Sequence, residues 1–213
     1  MTSKIDVTMT SSSSPPVLGS EHLPTGTTPL PQWSAIGNSP RMSLKLNGKY
    51  WLHIALFCQV TNLEELKQGL IDNKISAAFI NPALIVGIFQ LSVAAFKAAH
   101  LQDINKMKTR NVHSELLYSL SPSKNIAGSF KKFGLSNDSN AVIVAVIDTD
   151  SEENSSKFQM AIQAVKGERI GIEKINDFSK YEDIKKIYSI TDAELNTTDL
   201  VDAVVNKMAV KDA

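Results

Sequence analysis

The chain has 213 residues, 43% of them hydrophobic and 21% charged, with 22 basic and 22 acidic side chains. That length supports one ordinary domain with a real core and some chain to spare, and the hydrophobic fraction excludes global disorder. The single cysteine, Cys58, cannot form a disulfide within the chain, which points to a reducing compartment.

Residues 1–42 are dominated by Ser, Thr, Pro and Gly, as in "TSSSSPPVLGS" and "PTGTTPLP". Such a segment cannot bury enough apolar surface to offset its ordering entropy, so a disordered N-terminal extension is expected there, with the folded domain over 43–213. No apolar h-region follows Met1-Thr2-Ser3-Lys4, so no secretory signal is expected. Lys4 and Arg41 are offset by Asp6 and Glu21, which argues against a transit peptide. The expected localisation is cytoplasm and nucleus.

"YWLHIALFCQV", residues 50–60, has the aromatic and aliphatic density of a buried strand. Thr61 with Glu64 forms a capping-box pattern ahead of Leu63, Leu66 and Leu70, predicting a helix to about Asn73. "SAAFINP" then predicts a short extended piece ended by Pro82. No charged side chain occurs from Ile75 to Phe96, long enough to span a bilayer. Asn81-Pro82, Gly87, Gln90 and Ser92 argue against that reading, and a central helix buried on nearly all sides gives the same pattern. The helix is expected to turn amphipathic at Lys97 and to fade near Asn105.

"VHSELLYSL", residues 112–120, alternates imperfectly and reads as strand-like. Ser121-Pro122 then sets up a helix with Ile126, Phe130 and Phe133 on its apolar face, Lys131 and Lys132 in its last turn, and Gly134 at C′. "AVIVAVI", 141–147, is continuously apolar and predicts a central strand. A polar loop with Asp148, Asp150, Glu152 and Glu153 follows and reads as a solvated turn. Next come a helix carrying Phe158, Ala161, Ile162 and Val165, a short strand near Ile170–Ile172, and a helix through Ile184, Ile187 and Tyr188. The last helix is expected to start at Thr198 and to bury Leu200, Val201, Val204, Val205 and Met208. This mixed order predicts an α/β (α+β) domain: a single mixed, largely antiparallel sheet flanked by helices.

Catalytic motifs are not evident. His22, His53, His100 and His113 are scattered, and no Cys-x-x-Cys or His-x-x-x-His pair offers a metal site. There is no Gly-x-Ser-x-Gly elbow and no Gly-x-Gly-x-x-Gly phosphate loop, and Cys58 sits in an apolar strand where a thiol is usually inert. The chain therefore reads as a non-enzyme without cofactor or metal. The rival is a small enzyme whose site would show itself as a concave pocket of convergent polar groups.

The constructive signal is charge. Net charge is zero overall, yet residues 84–134 carry seven basic and two acidic side chains, and residues 135–213 carry nine basic and fifteen acidic ones. Two partner surfaces of opposite sign are one reading of that division, and solvated faces are the other. Lys106, Lys108 and Arg110 alternate, so in an extended segment they emerge on one side. Lys97 ends the preceding helix in this reading, while Lys124, Lys131 and Lys132 join the following one. Thr109, Ser121, Ser123 and Asn125 add neutral donors of the kind that contact phosphate and sugar. Binding through such groups would be nucleic-acid backbone recognition, steeply weakened by salt. Tyr118 is the only aromatic side chain within 106–126, so no stacking platform is apparent. The wide apolar face of the last helix packs on the sheet and leaves room for part of it to dock a partner.

Several segments carry a resemblance. Ile80-Asn81-Pro82, Phe89-Gln90, Lys97-Ala98, Met107-Lys108-Thr109-Arg110, Glu115, Leu120-Ser121-Pro122, Asn125-Ile126 and Lys131-Lys132-Phe133-Gly134 fall in the order and spacing of one family, as do "IKKIY" at 184–188 and the ending "KMAVKDA". From about Leu52 onward the chain resembles the TPRKB family, the PRPK-binding subunits of the KEOPS (EKC) complex. Compact members of that family lack an extension like residues 1–41. The resemblance implies a non-catalytic subunit of the complex that makes threonylcarbamoyladenosine next to the anticodon of tRNA. It implies binding to the PRPK kinase/ATPase and to the other KEOPS subunits, and help in engaging tRNA, including its 3′ CCA end. The tRNA-contact candidates on this chain are Lys97, Lys106, Lys108, Arg110, Asn125 and Lys131. The kinase-contact candidates are Ile184, Ile187, Tyr188, Leu200, Val204 and Met208 of the C-terminal helices. The alternative is a purely protein-binding regulator of the kinase with no RNA contact of its own.

Overall fold

The computed structural model describes residues 41–136, 139–150 and 155–212. Its strands are β1 (Arg41–Asn47), β2 (Tyr50–Cys58), β3 (Ala78–Ile80), β4 (Val142–Asp148) and β5 (Glu168–Ile170). Its helices are α1 (Leu63–Ile71), α2 (Ile88–Asp103), α3 (Val112–Leu120), α4 (Ile126–Phe133), α5 (Ser156–Gln163), α6 (Tyr181–Tyr188), α7 (Asp192–Leu195) and α8 (Leu200–Ala209). Short 3-10 turns cover Pro82–Leu84, Ile172–Phe178 and Val210–Asp212. The fold is the expected α+β class, with one correction: every strand pairing among the described residues is antiparallel, so the sheet is not mixed. β1 takes in Arg41 and Met42, which the sequence assigned to the leader; residues 1–40 lie outside the described ones.

Strand order is β1-β2-β4-β3, and β5 pairs with Leu56–Cys58 beyond the end of β1, so β1 and β5 share one edge of β2. Side chains alternate across the pleat. Leu52, Ile54 and Leu56 of β2 join Ile143, Ala145 and Ile147 of β4 in a larger core under α2, α3, α6 and α8. Ala55, Phe57, Val142, Val144 and Val146 face the other way, onto Leu66 of α1 and Phe158, Ala161 and Ile162 of α5. Helices cover both faces, which is why β4 is buried at every position and apolar from Val142 to Ile147 rather than alternating. His53 is buried on the α5 side, stacked on Phe158 at 5.4 Å.

The charge-free stretch 75–96 resolves into β3, a 3-10 turn and the first half of α2, and no described helix is long and apolar enough to cross a membrane. Gly87 starts α2 at φ 153°, a region that only glycine adopts without strain. Ala94, Ala95, Ala98 and Ala99 let α2 pack closely on its neighbours. Gln90 in this helix is buried; its amide accepts from Val86 N–H at 2.8 Å and donates to Tyr188 Oη at 2.8 Å. Tyr188 in turn donates to the Leu120 carbonyl, tying α2, α6 and α3 together inside the core. Burial holds the Tyr188 phenol well above its ordinary range.

Several local expectations are corrected. Residues 112–120 form a helix, not a strand: Asn111 caps it by accepting from Ser114 N–H at 2.9 Å, and the buried set Val112, Glu115, Leu116, Ser119 and Leu120 has helical spacing. The N-cap of α1 is Asn62 rather than Thr61, and it makes no capping bond, because its amide is spent on Ala164 O and Lys166 N–H, at 2.8 and 2.9 Å. Asp199, not Thr198, caps α8. A capping box is formed by Thr191 and Glu194, at α7. Lys97 sits inside α2 rather than at its end. Gly134 follows α4 without a left-handed φ; a Cβ there would lie 2.5 Å from the Phe130 carbonyl oxygen.

Candidate functional site

The α2–α3 connection, residues 104–111, is built over a carboxylate. Asn105 turns the chain at φ 52°, and the Lys106 N–H closes back on Leu101 O at 2.9 Å. The N–H groups of Lys108 and Thr109 then donate to Glu115 Oε2 at 3.0 and 2.8 Å, and the Thr109 hydroxyl donates to the same oxygen at 2.7 Å. Glu115 is 0% exposed. Three donors on one charged acceptor hold the loop far more tightly than its length would suggest. Met107 and Thr109 are half-buried, while Lys106, Lys108 and Arg110 are exposed between and beside them. The alternation expected from the sequence is thus present, imposed by a carboxylate clamp instead of a sheet.

The remaining tRNA-contact candidates lie elsewhere. Lys97 is half-buried on α2, and Lys131 is exposed in the last turn of α4. Asn125 is exposed, but its side-chain oxygen is committed to capping α4 through Gly128 N–H at 2.9 Å. The structure therefore gathers Lys106, Lys108 and Arg110 on one short loop and leaves Lys97, Asn125 and Lys131 on separate elements. Lys108 also leans on the ring of Tyr118, with Nζ 5.8 Å from its centroid.

For the kinase-contact candidates the inside and outside of the helices matter. Ile184, Tyr188, Val204 and Met208 are buried and belong to the larger core, so they hold the fold and offer no docking surface. Ile187 and Leu200 are half-buried against that core. The apolar side chains that do face outward were not singled out from the sequence. Phe89 and Phe96 on α2 are 41% and 50% exposed, with half-buried Val93 between them at helical spacing. Val201 and Val205 of α8, which packs beside α2, are half-buried too. The i, i+4, i+7 spacing of residues 89, 93 and 96 was the available signal, hidden because the whole segment is apolar.

A second polar group lies where β4 ends. Asp148, expected in a solvated turn, is buried and accepts from Thr149 N–H at 2.8 Å, Ser155 Oγ at 3.1 Å and Lys157 Nζ at 2.8 Å. Burial alone would push its carboxyl up; the Lys157 ammonium and the two other donors outweigh that and hold it below the ordinary carboxylate range. His113 is buried nearby and accepts from Ile147 N–H at 3.1 Å through Nε2, which leaves Nδ1 as the protonated nitrogen, directed to Ser76 Oγ. Burial, assisted by the Lys157 charge, lowers its pKa to about 4. A cleft of about 360 Å³ opens here, lined among others by Gln102, Arg110, His113, Asp148 and Lys157. Asp148 and Lys157 engage each other and His113 engages the backbone, which joins β4, α3 and α5, while Gln102 Oε1 is buried without a hydrogen-bond partner.

Comparison with known proteins defines the family. Residues 57–212 match the family model described as "Kinase binding protein CGI-121". The chain is 38% identical over 169 residues to the EKC/KEOPS complex subunit TPRKB of Danio rerio, covering 79% of this chain and 95% of that protein. It is 36% identical over 105 residues to the EKC/KEOPS complex subunit CGI121 of Kluyveromyces lactis, covering 49% of this chain and 66% of that protein. To the subunit of the same name from Candida glabrata it is 31% identical over 161 residues, 74% of this chain and 90% of that one. With the match spanning nearly all of the described α+β body, this chain belongs to the CGI-121 family of kinase-binding proteins.

Proposed function

We propose that this protein is a non-catalytic subunit of a KEOPS/EKC complex, acting in threonylcarbamoyladenosine modification of tRNA. It binds and regulates the kinase/ATPase subunit through the outward apolar sides of α2 and α8, centred on Phe89, Val93, Phe96, Leu200, Val201 and Val205. It helps to recruit tRNA through the backbone-binding loop that carries Lys106, Lys108 and Arg110. The kinase and the other complex subunits are its protein partners, in cytoplasm and nucleus. The carrying observation is the clamped loop itself. The Lys108 and Thr109 backbone and the Thr109 hydroxyl are held on buried Glu115, which presents Lys106, Lys108 and Arg110 on the exposed side of one short loop, a pattern suited to phosphate.

Filter binding with unmodified tRNA tests the RNA part. Reversing charge at Lys106, Lys108 and Arg110 together is expected to weaken binding at least tenfold at about 100 mM salt and to flatten its salt dependence. Unchanged binding would favour the purely protein-binding reading, to which the apolar sides of α2 and α8 also lend support. Copurification tests the docking part. Phe96→Asp is expected to release the kinase while the domain stays folded, because the side chain is 50% exposed. Val204→Asp would instead unfold the domain.

A further inference from the structure

The α2–α3 loop and the C-terminal turn of the folded body meet on one aromatic ring. Lys108 approaches Tyr118 from the α2–α3 loop. Lys211, in the closing turn Val210–Asp212, sits on the same ring with Nζ 3.1 Å from its centroid, and its ammonium also donates to the Tyr118 carbonyl. Lys211 is only 5% exposed, in a residue type that almost never goes inside unless paired. Two features of α3 offset the cost of burying that charge. They are the ring face and the negative carbonyl end of the helix. On the same helix, Glu115 Oε1 is buried without a hydrogen-bond partner while Oε2 takes all three loop donors.

We propose that Lys211 is a positioning residue for the basic loop. Its ammonium fixes Tyr118, and Tyr118 seats the Lys108 side chain, which together with the Glu115 clamp keeps residues 108–110 in their outward geometry. A lysine this buried cannot reach a phosphate itself. It acts by setting how well ordered the neighbouring cations are before RNA arrives, which lowers the ordering cost of binding. This rests on the reading of the loop as an RNA-backbone contact.

The test uses the full chain carrying Lys211→Met, with two readouts. Amide hydrogen exchange at Lys108 and Thr109 is expected to accelerate about tenfold or more, while Val144 and Ala145 in β4 keep their protection. Affinity for unmodified tRNA is expected to fall several-fold with the slope of log affinity against log salt unchanged, whereas Lys106→Ala lowers that slope by about one. Lys211→Arg is expected to restore both readouts. Unchanged exchange at Lys108 and Thr109 overturns the proposal, as does a reduced salt slope, which would make Lys211 a direct phosphate contact. If Lys211→Met also loosens β4, Lys211→Gln decides by the same criteria, since it keeps a donor for the Tyr118 carbonyl while removing the charge. Faster exchange in a protein whose parent chain binds no tRNA would support the latch and overturn the RNA reading.

Discussion

Two buried carboxylates, Glu115 and Asp148, serve opposite ends. Asp148 spreads its donors over both oxygens, from the backbone, a serine and a lysine, and so staples α5 to the end of β4. Glu115 puts three donors on one oxygen and leaves the other without a partner. The first arrangement satisfies the acid fully and serves the fold. The second is asymmetric, and what it orders is an exposed loop with three cations. A buried charge that is incompletely satisfied and orders surface residues is spent on that surface rather than on the core.

The largest expected effect lies at Glu115. Replacing it by Ala strips Lys108 N, Thr109 N and the Thr109 hydroxyl of their charged acceptor. About 3 kcal/mol of stability should be lost, as expected when one partner of a buried charged network is deleted. Glu115→Gln, which keeps an acceptor, should cost roughly half as much. Urea unfolding measures both. If Glu115→Ala is neutral, the clamp is not an energetic feature and the contrast with Asp148 collapses.

Of similar size is a pH effect on the Asp148 side. His113 takes up its proton near 6.5 in the unfolded chain and near 4 in the folded one. Between those values the unfolded state binds more protons, so stability falls as the solution is acidified from about pH 6.5 to pH 4. The full difference amounts to about 3 kcal/mol below pH 4. The loss of Asp148 stabilisation begins below about pH 4, as protonation proceeds toward its depressed folded value. A pH series of unfolding midpoints should therefore decline already between pH 6 and 5. A profile flat down to pH 4.5 would show that His113 titrates normally.

Much of the scaffold was readable from the chain alone, for a physical reason: β2, β4, α2, α5 and α6 announce themselves through uninterrupted or periodic apolar positions. Where polar side chains carry the information, pattern reading fails. Residues 112–120 look strand-like because Glu115 and Ser119 occupy the buried face of α3, so apolar spacing alone does not display the helical period. Asp148 looked solvated because its partners, Ser155 and Lys157, stand seven and nine residues away. The basic loop was legible as charge, but not the clamp that orders it, since a lone glutamate among lysines reads equally well as a surface ion pair. Val204 and Met208 read as docking residues from the sequence because an amphipathic stripe does not say whether its partner is intramolecular.

The smallest effect is the most discriminating. Lys157→Met removes the ammonium that pairs with Asp148, but that lysine side chain is 51% exposed, and Thr149 and Ser155 still serve the carboxylate. Solvent screening should therefore limit the loss at pH 7 to about 1 kcal/mol. The same substitution lets the His113 and Asp148 pKa values relax toward their ordinary ranges, because Lys157 contributes to lowering both. Less stability is then left to lose on acidification. Variant and parent should differ most at neutral pH and converge near pH 4, as read by urea midpoints at pH 7, 5.5 and 4. Parallel curves would mean that Lys157 acts only through local packing, and the Asp148 cluster would then be no more coupled than an ordinary surface pair.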